Sequence, residues 1–221
     1  MKSLLIRTVV SFCFMLIVPL NVSAVFITDI NRSTAASGGV QPAPGPSGSV
    51  VIDNDFRIRN WESNTGPVGD GINDETTWVF HYAENNNERA AYTAFENELQ
   101  TGGTLVQADI WLQLTPMDSL ISTDEIELIG LGTIGQDQTD AFANLTVGTL
   151  QTVHLNLFDF FSVADVTSYI LGRRGIYGAS FRDDAIMYTA KMDLRSVPEP
   201  ASLLLLGVGL LALSGLRRSR T

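Results

Sequence analysis

The chain has 221 residues, of which 17% are charged, and its formal net charge is −10 at pH 7. Asp and Glu number 24 against 14 Lys and Arg, and this excess of negative charge argues against nucleic acid or anionic lipid as a partner of the folded part. Cys13 is the single cysteine and lies in an apolar N-terminal run, which excludes disulfides, thiol nucleophiles and cysteine-type zinc sites from the mature protein.

The N-terminus has the three parts of a secretory signal peptide. Lys2 and Arg7 supply the positive region, and residues 8–20 supply the apolar region. The small residues that end at Ala24 then predict cleavage by signal peptidase after Ala24, so residues 1–24 are expected to be removed.

The body that follows is predicted to be one exported domain, residues 25–195. Its charge is more negative than that of the whole chain, because 23 acidic but only 9 basic residues lie between residues 25 and 197, a net charge of −14. Such a surface is compatible with divalent cations and neutral glycans, although solubility alone would also explain it.

Taken in chain order, the body contains mostly strand patterns. Residues 33–49 are rich in Pro, Gly and Ser and are predicted to form a flexible loop. Asn85–Asn87 offer an N-cap to a helix over 88–99, and Ser162 offers one to a helix over 163–171. Alternating or β-branched segments predict strands at 25–30, 50–53, 56–61, 76–82, 104–114, 125–131, 146–150, 152–157 and 185–194. Strands about ten residues apart are typical of a mainly β, antiparallel β-sandwich or jelly-roll-like domain, here with one or two short helices.

Catalytic chemistry finds little support in these patterns. His81 and His154 are the only histidines, each lies on a predicted strand, and neither is near a nucleophile elbow or a zinc-ligand pattern. A glycoside hydrolase needs two carboxylates about 5 to 10 Å apart, which many pairs among 23 acids could satisfy by chance. We therefore expect no enzyme, and keep a secreted carbohydrate-active hydrolase as the alternative.

Calcium is the one cofactor that the acidic turns suggest. Asp70, Asn73, Asp74 and Glu75 place three carboxylates and an amide in a glycine-containing loop, and carboxylate and amide oxygens are calcium ligands. Two further acidic stretches lie at 137–140 and 182–184. The spacing of an EF-hand is absent from all three stretches, and turn formation by Asp and Asn is the alternative explanation of each.

Glycan binding is suggested by one strand of the body. Trp111 falls between Asp109 and Gln113 on the polar face of the 104–114 strand, where an aromatic ring could stack on a sugar beside hydrogen-bonding groups. The alternative is that both faces of the sheet are covered and Trp111 belongs to the core. Trp78 lies in an aromatic strand and is predicted to be core, whereas Trp61 remains undecided.

The C-terminal tail has three parts in a fixed order. Pro198, Glu199 and Pro200 come first, where the prolines favour an extended, exposed segment. An uncharged apolar run at 201–216 follows, which as a helix would span about 24 Å, somewhat less than a bilayer core of about 30 Å. Arg217, Arg218 and Arg220 come last and predict a cytoplasmic C-terminus.

This tail, residues 196–221, resembles the PEP-CTERM sorting signal of Gram-negative bacteria; an unprocessed membrane anchor is the alternative. The resemblance implies an exosortase as partner, cleavage near Pro198, Glu199 and Pro200, and an association with exopolysaccharide and biofilm. The sequence thus predicts a secreted protein that is anchored in the inner membrane by its C-terminal helix and is then moved to the cell surface or extracellular matrix. There it is expected to be structural or glycan-binding.

Overall fold

A computed structural model describes residues 24–34, 43–61, 65–118 and 124–199. Within these ranges the chain forms two helices, α1 (Asn86–Gln100) and α2 (Val163–Arg173), and short 3-10 helices at Gln136–Gln138 and Leu157–Asp159. The ten strands in the same ranges are β1 Val25–Arg32, β2 Val50–Asp53, β3 Phe56–Asn60, β4 Asp74–His81, β5 Thr104–Pro116, β6 Glu125–Leu128, β7 Gly132–Gly135, β8 Gln151–Asn156, β9 Ile176–Asp183 and β10 Ala185–Val197.

The strands form two sheets. The four-stranded sheet has the order β1-β10-β5-β8, and the six-stranded sheet has the order β2-β3-β4-β9-β6-β7. Every pairing within both sheets is antiparallel. The predicted mainly β class with two short helices is therefore confirmed, whereas the strand order does not confirm a jelly roll.

Both sheets contribute to a single apolar core. In β5, Ala108, Ile110, Leu112 and Leu114 alternate with outward polar residues and are fully buried. The six-stranded sheet contributes residues such as Phe80 and Trp78 of β4. Trp78 is 3% exposed, which confirms the prediction that it belongs to the core. Full burial of each large apolar side chain contributes about 1.5 to 3 kcal/mol.

The two helices begin where their capping residues predict. The Asn85 side chain accepts hydrogen bonds from the backbone N–H groups of Asn87 and Glu88, and the Glu88 carboxylate accepts in return from the Asn85 N–H. The hydroxyl oxygen of Ser162 accepts from the Asp165 N–H at the start of α2. These caps satisfy N–H groups that the first helical turn leaves without partners.

Three parts of the strand prediction were wrong. Strand β9 was missed, although it lies in the interior of the six-stranded sheet between β4 and β6. The segment 125–131 is not one strand, because the chain turns at Gly130, whose φ is 90°, and returns as β7. The segment 146–150 forms turns around Gly148, whose φ is 72°.

Other predicted segments lie wholly or partly outside the described ranges. They include most of the signal peptide, residues 35–42 of the predicted flexible loop, and the apolar run at 201–216. In the ranges that are described, no helix combines the length and apolar character needed to cross a membrane.

Candidate functional site

The last strand leads into the predicted sorting motif without a linker. Strand β10 ends at Val197, which pairs with Thr104 of β5, and Ser196 before it is fully buried. Pro198 is half-buried and Glu199 is exposed. The motif therefore starts at the end of an interior strand of the four-stranded sheet.

The predicted signal-cleavage position lies at the same end of this sheet. Ala24 directly precedes β1, and Val25, the first residue of β1, pairs with Ser196 of β10. The two predicted processing positions therefore lie directly before β1 and directly after β10, which are neighbouring strands. Of the predicted sorting residues, Pro200, Arg217, Arg218 and Arg220 lie outside the described ranges.

Trp111 lies on the outward face of the four-stranded sheet and is half-buried there, so the interpretation that placed it in the core is wrong. Its cross-strand neighbours are His154 of β8 on one side and Lys191 of β10 on the other. The His154 ring stacks on the indole with 3.9 Å between ring centroids and an interplanar angle of 12°, and the Lys191 ammonium lies 5.5 Å from the indole centroid. The indole is therefore flanked by two cross-strand neighbours.

Asp109 and Gln113 lie on the same outward face, as the alternation in β5 predicts. Asp109 Oδ1 lies 3.1 Å from Nε2 of His154, and its Oδ2 accepts a 2.7 Å hydrogen bond from Gln107. Gln113 Oε1 accepts a 3.0 Å hydrogen bond from the Thr189 hydroxyl. The structure thus brings the three predicted glycan contacts together, and each of them already has a protein partner.

The acidic loop before β4 has a clear structural use. Oδ2 of Asp74 accepts 2.9 Å hydrogen bonds from the N–H groups of Gly69 and Gly71. Asp70 Oδ1 accepts from the Ile72 N–H at 3.1 Å, which is an Asx turn. Asp74 is only 2% exposed. This burial is the largest of the causes that raise the pKa of its carboxyl from 3.8 to about 6.

Two of the three acidic stretches meet in the structure. Asn73, whose φ is 51°, donates its N–H to Oδ1 of Asp184 at 2.9 Å. Asp184 in turn donates its N–H to Oδ1 of Asp124, a fully buried residue that the sequence analysis did not single out. No group of three His, Cys, Asp or Glu side chains in the described part of the chain is arranged to hold a metal ion. Turn chemistry thus explains these carboxylates, and calcium binding stays a prediction.

Glu75 belongs to a cross-strand ion-pair network that the sequence did not reveal. Its side chain is 3% exposed and contacts Arg59 of β3 and Arg182 of β9, with 3.2 Å between Oε1 and the Arg182 Nε. Arg182 also contacts Glu125 and Glu127 of β6, the former at 2.6 Å. These residues form a row because β3, β4, β9 and β6 are neighbours in the sheet. The previously undecided Trp61 lies against this network, with the Arg182 guanidinium 4.3 Å from its ring centroid.

Two cavities bear on the hydrolase alternative. The larger, about 410 Å³, lies beside α2 and has Asp165 as its one acidic lining residue. The smaller borders Asp74 and holds about 10 Å³, roughly the space of one water molecule. Neither of these cavities presents the two carboxylates that glycoside hydrolysis requires.

Comparison with known proteins identifies the tail. Residues 196–219 match the family model of the PEP-CTERM protein-sorting motif. Neither the curated proteins nor the solved structures contain a match to the chain. The matched residues begin inside β10 and include Pro198, Glu199, Pro200, Arg217 and Arg218, on which the sequence prediction rested, whereas Arg220 lies one residue beyond the match. The C-terminal tail is thus a PEP-CTERM protein-sorting motif, which implies export and membrane anchoring by this tail and supports the assignment of the chain as an exosortase substrate.

Proposed function

We propose that the chain is an exosortase-sorted protein of the cell surface or exopolysaccharide matrix, with a β-sandwich body that is structural or glycan-binding and has no catalytic activity. The observation that carries the sorting part is the match of residues 196–219 to the sorting motif, directly after the last strand of the body. Removal of the tail near Pro198 and Glu199 would leave the apolar core intact, because Met192 and Leu194 are the last β10 residues that belong to it. The released domain would then move from the inner membrane to the surface or matrix.

The sorting part is tested in a bacterium that has an exosortase. Replacement of Pro198, Glu199 and Pro200 by alanines is expected to leave the full-length chain in the membrane fraction. Pro67→Ala, a change of an exposed proline in the body, is the matched control and is expected to be processed normally. Immunoblots of membrane, surface and medium fractions give the result. Equal processing of the triple variant and the unaltered chain would reject the assignment.

For the body, we favour glycan binding at the outward face of the four-stranded sheet. The supporting observation is that Trp111, Asp109 and Gln113 share this face with Lys191 and His154. Because His154 stacks on the indole, the glycan contact would be made mainly by hydrogen bonds from the polar side chains around the Trp111 edge. The indole would keep His154 in place between its own ring and Asp109.

The binding test is calorimetry of the exported body with the host's exopolysaccharide, first with calcium and then with a chelator. Trp111→Ala should weaken binding about tenfold, or about 1.4 kcal/mol. Trp61→Ala is the matched control, because Trp61 directly follows β3 of the other sheet, and it should leave the affinity unchanged. A loss of binding with the chelator would support calcium at the Asp70 loop. Shortening of the polymer would favour the hydrolase, whereas absence of heat would leave a structural role.

A further inference from the structure

The sorting motif is partly built into the folded domain. Residues 196 and 197 belong both to the matched motif and to β10, where Ser196 is fully buried and Val197 pairs with Thr104. Only residues 198–200 separate the end of β10 from the apolar run that begins at Ala201. Three residues span at most about 11 Å even when fully extended. The motif is therefore confined between the sheet and the membrane segment.

Glu199 also lies against the body. It contacts the turn between α1 and β5, where Gly102 has a φ of 101°. A Cβ atom on Gly102 would lie 3.0 Å from Cδ and 3.1 Å from Oε1 of Glu199. The absence of a side chain at Gly102 thus allows the glutamate of the motif to lie on this turn.

The pairing of β10 is irregular just before the motif. The register between β10 and β5 shifts between Arg195 and Ser196, which leaves Val106 of β5 as the extra residue of a β-bulge. A bulge interrupts the ladder of hydrogen bonds, so the short segment after it can separate from the sheet while the rest of β10 stays paired. The last residues of β10 that belong to the core, Met192 and Leu194, lie before the bulge.

Proteases act on extended, accessible chain, and cleavage of a folded substrate follows the population of its locally opened state when opening and closing are fast. We propose that the folded body masks the start of the sorting motif, and that the exosortase reaches the motif only when residues 196–199 separate from β1, from β5 and from the Gly102 turn. The proposal rests on the proposed sorting function. It adds that the rate of tail removal is set by the opening of the last four described residues.

The direct test is to insert Gly-Ser-Gly-Ser-Gly-Ser between Val197 and Pro198 of the full-length chain. The insertion moves Pro198, Glu199 and Pro200 away from the sheet and leaves these residues and the tail after them unchanged, so tail removal in a pulse-chase experiment should become about fivefold faster or more. The control is the same insertion between Gly148 and Thr149, in a turn where a Cβ on Gly148 would meet no atom within 4 Å. An unchanged or slower rate for the first insertion overturns the proposal.

A single substitution gives an independent test. Gly102→Ala should displace Glu199 and make tail removal about twofold to threefold faster. Gly48→Ala is the matched control, because Gly48 also has a positive φ of 72° but a Cβ there would meet no atom within 4 Å. If Gly102→Ala is no faster than Gly48→Ala, the contact with Glu199 does not mask the motif and the proposal is overturned.

The alanine replacement of Pro198, Glu199 and Pro200 distinguishes failure of the sorting function from failure of the masking proposal. If that variant is processed like the unaltered chain, sorting through this motif is wrong whatever the insertion does. If it is not processed and the insertion leaves the rate unchanged, the sorting function stands and only masking is rejected.

Discussion

Arg182 is expected to be the most sensitive charged residue of the six-stranded sheet. Its guanidinium contacts three carboxylates on two neighbouring strands, those of Glu75, Glu125 and Glu127, and its side chain is 18% exposed. Arg182→Met keeps the apolar stem but removes the charge. The substitution would leave the buried Glu75 with Arg59 as its remaining partner in the network and would leave three carboxylates close together.

The expected loss follows from the burial of Glu75. Removal of one partner of a buried ion pair costs about 3 to 5 kcal/mol, because the remaining charge is desolvated without compensation. Since Glu75 keeps its contact with Arg59, we expect the lower end, about 3 kcal/mol. The side chain of Arg59 is 58% exposed, so Arg59→Met should cost about 1 kcal/mol or less.

Urea unfolding of the signal- and tail-free protein measures both losses. A loss of about 3 kcal/mol corresponds to a fall in Tm of roughly 6 to 12 °C for a domain of this size. Addition of Glu75→Gln to Arg182→Met should recover about 1 kcal/mol or more, because it removes the stranded charge. The reasoning is refuted if Arg182→Met and Arg59→Met lower the free energy of unfolding equally.

Two further predictions concern Asp74 and the start of α1. Burial raises the pKa of Asp74 to about 6, so the folded state holds the proton more tightly than the unfolded state does. The protonated carboxyl therefore stabilises the fold below about pH 4, and this stabilisation is lost as the pH rises through 6. Between pH 4 and 7 the free energy of unfolding should therefore fall by about 2 kcal/mol relative to Asp74→Asn, as measured by urea unfolding at each pH; parallel pH profiles would contradict this. Asn85→Ala should cost about 1 kcal/mol in thermal unfolding because it removes the N-cap of α1, whereas Asn86→Ala, one residue later, should cost less; equal losses would show that the cap contributes nothing.

The sequence predicted those elements whose local signals agree with their packing. Strand β5 alternates buried apolar residues with outward-facing residues from Ala108 to Leu114, and α1 starts with an Asn and Glu pair that forms a capping box. Strand β9 gave a weaker signal, because the small residues Gly178 and Ser180 interrupt its other face between Ile176 and Arg182. Its inward residues Tyr177, Ala179 and Phe181 do alternate, and this pattern after Arg174-Gly175, where a helix ends, could have revealed the strand.

The candidate sites were predictable to different degrees. The tail was readable because its three parts are contiguous, and the outward face around Trp111 followed from the alternation within one strand. The row that contains Glu75 and Arg182 was not readable, because 106 residues lie between its cross-strand neighbours and the pairing depends on the unpredicted β9. The contact between Asn73 and Asp184 was hidden for the same reason.

The two proposed processing steps would act at the same end of the four-stranded sheet. Val25, the first residue after the predicted signal cleavage, pairs with Ser196, the first residue of the matched motif. Signal removal can precede folding because the N-terminus is made first, whereas the motif becomes available only after β10, the last strand, has been exported. Since β10 lies in the middle of the four-stranded sheet and carries core residues up to Leu194, the body can fold around it before the tail is cut. The exosortase would therefore encounter its motif on a folded domain, and the stability of the end of β10 would influence how fast the protein leaves the membrane.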